Sequence, residues 1–104
     1  MRMIENKDKN KDKDKELKLL WAELKIIADE NRLGILKYLK KKKSASVGEI
    51  SDQLKISFKA TSKHLLFLVK KEILFRQPDN PFVIYSLSSN SNQSKLIKSV
   101  ISFL

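Results

Sequence analysis

The sequence predicts a mainly α domain carrying one small β-hairpin, and three observations predict it. Gly and Pro number only two each in 104 residues, so helix breakers are scarce and long helices are the default. From Leu17 onward apolar residues recur at spacings of three and four, the period of a helix with a buried face. Between Ile73 and Leu87 the pattern changes to β-branched and aromatic residues around a turn of Pro78, Asp79, Asn80 and Pro81, which is hairpin chemistry.

The first helix is expected from Leu17 to Ala28. Leu17, Leu20, Trp21, Leu24, Ile27 and Ala28 form one stripe, and Leu19 and Ile26 widen it onto a second face, so more than one side needs cover. Residues 1–16 hold six Lys/Arg and five Asp/Glu in near alternation. With almost no apolar side chain to offset the entropy of ordering, residues 1–15 read as a charged flexible tail outside a domain spanning 16–104. A DNA-binding arm is the other reading of that tail.

Asp29 or Asn31 can cap a second helix, in which Leu33, Leu36, Tyr38 and Leu39 point inward and Lys40 to Lys43 close the last turn. Lysines suit the negative end of a helix. Ser46, with Glu49 three residues on, reads as a capping box for a short third helix holding Val47, Ile50 and Leu54. After Lys55 and Ile56, Ser57 caps a fourth helix running to about Lys71, and the brief connection makes a helix-turn-helix. A hairpin of Ile73–Gln77 and Phe82–Leu87 follows, with the two prolines expected to keep its tip off the ladder. The last helix, 94–104, is apolar on most of its circumference through Leu96, Ile97, Val100, Ile101, Phe103 and Leu104.

Several classes of function fall away on composition. There is no cysteine for a disulfide, a thiolate metal site or a thiol nucleophile, and a single histidine argues against zinc or acid-base catalysis. Two glycines cannot write a phosphate-binding loop. The longest apolar runs, such as Leu65 to Val69, are far short of the roughly 20 residues of a membrane span. The N-terminus lacks the apolar block of a secretory signal, so a cytoplasmic location is expected. A hydrophobic fraction of 41% suffices for one small core, which a second subunit would reinforce.

The charge is the positive evidence. Lys/Arg number 22 and Asp/Glu 12, a net charge of +10. Five of the excess charges are Lys37, Lys40, Lys41, Lys42 and Lys43, and five more are Lys55, Lys59, Lys63, Lys70 and Lys71, while all other segments sum to zero. Two localised basic blocks are the footprint of a polyanion surface. On the fourth helix, Ala60, Thr61, His64, Leu65 and Leu68 share one arc and Phe58, Lys59, Ser62, Lys63 and Lys70 the opposite one. The outward set supplies cations for phosphates and guanine edges, a hydroxyl, and a ring suited to a thymine methyl. Ser57 and the positive start of the helix add a place for a phosphate. Each has a plainer reading as well: Lys59 and Lys63 as solvated lysines, Ser62 as an exposed hydroxyl, and Phe58 as a staple folded back on the preceding helix. His64, at the inward edge, reads as a hydrogen-bonded packing residue.

The run from Ile27 to Leu87 resembles the ArsR-type winged helix-turn-helix transcription regulators. Their opening Leu-Ala-Asp-x-x-Arg-x-x-Ile-Leu-x-x-Leu is met by Ile27-Ala28-Asp29, Arg32, Ile35-Leu36 and Leu39. Their reader helix, commonly Leu-Ser-Gln-x-x-Val-Ser-Arg-His-Leu, is met by Ile56-Ser57-Phe58, Thr61-Ser62-Lys63 and His64-Leu65, with Phe58 in place of the glutamine. The end of the wing, Val-Tyr-Tyr-x-Leu, looks like Val83-Ile84-Tyr85-Ser86-Leu87. The resemblance implies a homodimer joined through helices 16–28 and 94–104, the helix 57–71 of each protomer in successive major grooves of double-stranded DNA, and repression of a promoter. The expected DNA-binding residues are Ser57, Phe58, Lys59, Ser62, Lys63, Lys41, Lys42, Lys43 and Arg76. Where metal-sensing members carry Cys-x-Cys, this chain has Ser46-Val47-Gly48, and its last helix offers no Asp or His, so neither metal nor cofactor is expected. The competing reading is a winged-helix module that binds a protein through its apolar terminal helices.

Overall fold

Residues 7–89 and 93–104 are described by a computed structural model, with side chains described from residue 13 onward. The order of elements is α1 (Lys7–Ile27), α2 (Glu30–Lys42), β1 (Ser44–Ser46), α3 (Val47–Leu54), α4 (Phe58–Lys70), β2 (Leu74–Asp79), β3 (Phe82–Leu87) and α5 (Lys95–Phe103). The architecture is a winged helix-turn-helix: among the described residues, five helices and a three-stranded antiparallel sheet in the order β1-β3-β2.

The caps explain where the helices start. Asp29 holds extended backbone and accepts from the Arg32 N–H at 3.0 Å. Ser46 and Glu49 form the reciprocal capping box, with Glu49 N to Ser46 Oγ at 3.3 Å and Ser46 N to Glu49 Oε1 at 2.9 Å. Ser57 and Ser94 accept from Ala60 N and Ile97 N in the same way. Each satisfies a backbone donor that the first turn leaves without a partner. The helices end without glycine: Lys43, Lys55 and Glu72 take positive φ of 77°, 57° and 62°.

The core is formed by Ile27 of α1, Ile35, Leu36 and Leu39 of α2, Ala45 of β1, Ile50 of α3, Leu65 and Leu68 of α4, Ile73, Leu74 and Tyr85 of the hairpin region, and Ile97 of α5. Thr61 is fully buried among them and spends its hydroxyl on the Ser57 carbonyl at 2.8 Å, so its one strong donor is satisfied.

Three features differ from the sequence expectation. α1 begins at Lys7, so residues 7–15 of the expected tail are helical; lysine is a good helix former and the run contains neither Gly nor Pro, which lets the helix propagate backward from its apolar part. Residues 1–6 of that tail lie outside the described residues. Second, Ser44–Ser46 forms a strand that pairs with β3 through Ser44↔Ser86, Ala45↔Tyr85 and Ser46↔Ile84. Third, Pro78 lies inside β2, opposite Val83, rather than beyond the ladder. β2 is an edge strand, where a residue without an N–H is tolerated. The turn shrinks to Asn80 and Pro81, joined by a cis peptide bond.

Candidate nucleic-acid interface

The helix-turn-helix places α4 with one face in the core and the other in solvent. Thr61, Leu65 and Leu68 are fully buried, while Phe58, Lys59, Lys63 and Lys70 are exposed and Ser62 half-buried. The outward arc therefore presents two cations one turn apart, Lys59 and Lys63, with the Ser62 hydroxyl beside them. Ser57, just ahead, commits its hydroxyl oxygen as acceptor to Ala60 N at 3.0 Å. Its O–H remains a donor for a phosphate oxygen at the positive end of the helix.

Phe58 does not fold down as a staple. Its side chain is 62% exposed and lines a cleft of about 290 Å³ with Val47 and Gly48 at the start of α3 and Pro81, Phe82 and Val83 at the wing. Phe82 on the far wall is 63% exposed. Leu66 is a residue that hydrophobic patterning passes over: it is 50% exposed and sits one turn on from Ser62, on the outward face. Leucine on a helix is normally counted inward, and only its angular position, between Lys59 and Ser62 on the helical wheel, signals otherwise.

The first basic block divides. Lys40 is half-buried and donates to the Ser102 carbonyl near the end of α5 at 2.8 Å, which turns it away from the exposed surface of Lys41, Lys42 and Lys43. Lysine at a helix C-terminus finds orphan carbonyls there. Lys43 caps α2, its N–H donating to the Leu39 carbonyl at 2.8 Å, and Ser44 then enters the sheet opposite Ser86. This pairing ties Lys41–Lys43 to the base of the wing. Arg76 is exposed on β2 opposite Tyr85, on the same hairpin face as Val83.

His64 is half-buried and packs toward the interior, its Nδ1 lying 3.4 Å from a guanidinium nitrogen of Arg32. Asp29 stands nearby. The backbone N–H of Arg32 holds the Asp29 carboxyl below the usual carboxylate range, with smaller contributions from the charges of Arg32 and His64, against an opposing desolvation. Among the described residues no three His, Asp or Glu side chains are grouped closely enough to hold a metal ion.

The family described as bacterial regulatory protein, arsR family, matches residues 29–74. The chain is similar to reduced HlyU from Vibrio cholerae N16961, at 33% identity over 97% of this chain and 94% of that one, with a TM-score of 0.65. It is also similar to the transcriptional regulator HlyU from Vibrio vulnificus CMCP6, at 30% identity over 96% of this chain and 94% of that one, again with a TM-score of 0.65. NolR from Sinorhizobium fredii shares the fold, with a TM-score of 0.74 at 23% identity over 99% of this chain and 92% of that one. No curated protein sequence matches the chain. Among the described residues no helix is long and apolar enough to cross a membrane.

Proposed function

The chain belongs to the arsR family of bacterial regulatory proteins, which are DNA-binding transcription regulators, and from that premise we propose that it works as a homodimeric repressor in the cytoplasm, with residues 16–104 as the working unit. The observation that carries the reading is the outward face of α4, where exposed Lys59 and Lys63 flank Ser62 on a helix whose other face is locked into the core. A rigid helix with a polar outward arc is what the major groove admits.

In this reading Lys59, Ser62 and Lys63 meet base edges and nearby phosphates, and Ser57 with the start of α4 holds a phosphate. Phe58 contacts a thymine methyl, while Lys41, Lys42, Lys43 and Arg76 meet the backbone on the wing side. The homodimer forms through α1 and α5. Leu17, Leu20, Trp21 and Leu24 lie on one side of α1 and are 42 to 62% exposed, and Phe103 of α5 is 90% exposed. An apolar stripe of this extent is stabilised when a second copy covers it. Two-fold symmetry then sets the reader helices about 34 Å apart, one turn of duplex, and occupancy of such a site excludes other proteins from the promoter.

Selection of bound duplexes from a random pool, combined with a solution mass and a salt titration, tests this function. The expected results are a two-fold related sequence, the mass of a dimer, and a slope of log affinity against log salt near −7, as expected if about eight phosphates are neutralised. A flat salt response, or retardation of no duplex at low salt, overturns it.

A further inference from the structure

Arg32, the third residue of α2, is where three helices are joined by one side chain. Its Nε donates to the Ile26 carbonyl at 2.7 Å and its Nη2 to the Lys25 carbonyl at 3.0 Å. These carbonyls belong to the last turn of α1, which helix geometry leaves without backbone partners. The other edge of the guanidinium faces α4. Nη1 lies 3.4 Å from His64 Nδ1, and Cζ stands 4.6 Å from the centre of the Phe67 ring. A guanidinium can only donate, so in this contact the guanidinium is the donor side. At this point an open cleft of about 320 Å³ lies between the end of α1 and the end of α4, lined by Arg32 with Ala22, Lys25, Ile26, Phe67 and Lys71. Arg32 bridges that gap.

We propose that Arg32 is a positioning residue that fixes the orientation of α4 against α1 and so sets the half-site separation a dimer accepts. The proposal rests on the reading of α1 as a dimer helix and α4 as the reader. His64 follows directly on Ser62 and Lys63, so the clamp grips the turn of α4 that carries the outward polar side chains. The planar fork, held at both edges and stacked on Phe67, resists rotation in a way that a flexible ammonium cannot. If α4 turned freely about this joint, protomers would reach half-sites at several separations. With the joint locked, one spacing is preferred.

The test uses the full chain and the duplex selected from the random pool, with versions whose half-sites are moved apart or together by one and two base pairs, and a duplex holding a single half-site. Wild type is expected to favour the selected spacing at least tenfold. Arg32→Gln is expected to keep the dimer mass and to bind the single half-site within about threefold of wild type, while its preference among spacings falls to within about threefold. Arg32→Lys, which keeps the charge and loses the fork, is expected to fall between. His64→Ala attacks the clamp from the α4 side and is expected to relax spacing in the same direction, so the question stays answerable if Arg32→Gln does not fold. Unchanged spacing preference in the folded variants overturns the clamp, as does an equal loss on single and paired half-sites. A monomeric wild type, or one that binds no duplex, overturns the homodimer reading instead.

Discussion

Helices α1 and α4 share a period and leave opposite kinds of surface. On α1 the open side is apolar: Leu17, Leu20, Trp21 and Leu24 are 62, 43, 60 and 42% exposed. On α4 the inward apolar side is spent on the core through Leu65 and Leu68, and the open side carries Lys59, Ser62, Lys63 and Lys70 around the exposed Phe58 and Leu66. The first surface is stabilised by removal from water and is indifferent to salt, and the second attracts a polyanion and is screened by salt. The proposed self-association and the proposed DNA contact thus fall on different helices, and mutations should break them separately.

The largest effect is expected where the apolar stripe is interrupted. Trp21→Glu puts a charge at the centre of the α1 face, on a side chain that is 60% exposed in the single chain and contributes little to its fold. Dimerisation should weaken by about 3 kcal/mol, the scale of an aromatic hot spot, while the thermal midpoint measured on dilute monomer moves by less than about 3 °C. Sedimentation equilibrium reads the first and a melting curve the second. A variant that stays dimeric would show that α5 alone holds the copies together.

On the other helix, Lys63→Ala is expected to leave the mass at that of a dimer and to weaken duplex binding about tenfold. Because the dimer carries the residue twice, the salt slope should become shallower by about 2. An unchanged slope would mean that Lys63 is one of the solvated lysines and that Lys59 and Lys70 carry the phosphates.

The cleft between α4 and the wing gives a finer test of the same helix. If Phe58 lies against a thymine methyl, replacing that thymine by uracil removes one methyl from an apolar contact and should cost about 0.8 kcal/mol, or roughly fourfold in affinity. In Phe58→Ala the two duplexes should bind alike. The same substitution scanned along the half-site maps which thymine is involved, and equal binding of wild type to every uracil variant would remove Phe58 from the readout.

Much of this comparison was readable in the chain, because it depends on short-range periodicity. The caps at Asp29, Ser46 and Ser57 and the two faces of α4 follow from residues within a turn or two of one another. The family match across 29–74 covers the same stretch. What was hidden depends on residues far apart. Strand β1 is three residues long and exists only because β3, about 40 positions away, offers it an edge. Lys40 looked like its neighbours until Ser102 was placed beside it. Arg32 was visible as part of a family pattern, but its bridge to His64 lies 32 positions along the chain. Phe58 could be read either way, since the wing that leaves its ring in an open cleft comes more than 20 residues later.

At the junction between the two helices the expected effect is on stability rather than on association, and it has a pH signature. Asp29 caps α2 next to the end of α1, and its carboxylate accepts from Arg32 N at 3.0 Å. Asp29→Ala should cost about 1 kcal/mol of stability. Asp29→Asn keeps an acceptor and should cost less. The sign of the pH dependence follows from the lowered Asp29 carboxyl: folding favours the ionised form, so the stabilisation is complete above the ordinary carboxylate range and disappears as pH falls through the lower value in the folded chain. Urea denaturation of wild type and Asp29→Asn at a series of pH values should show the two curves converging toward acid. Curves that stay parallel down to the acid limit would mean that the cap acts through hydrogen bonding alone and that the charge adds nothing at this junction.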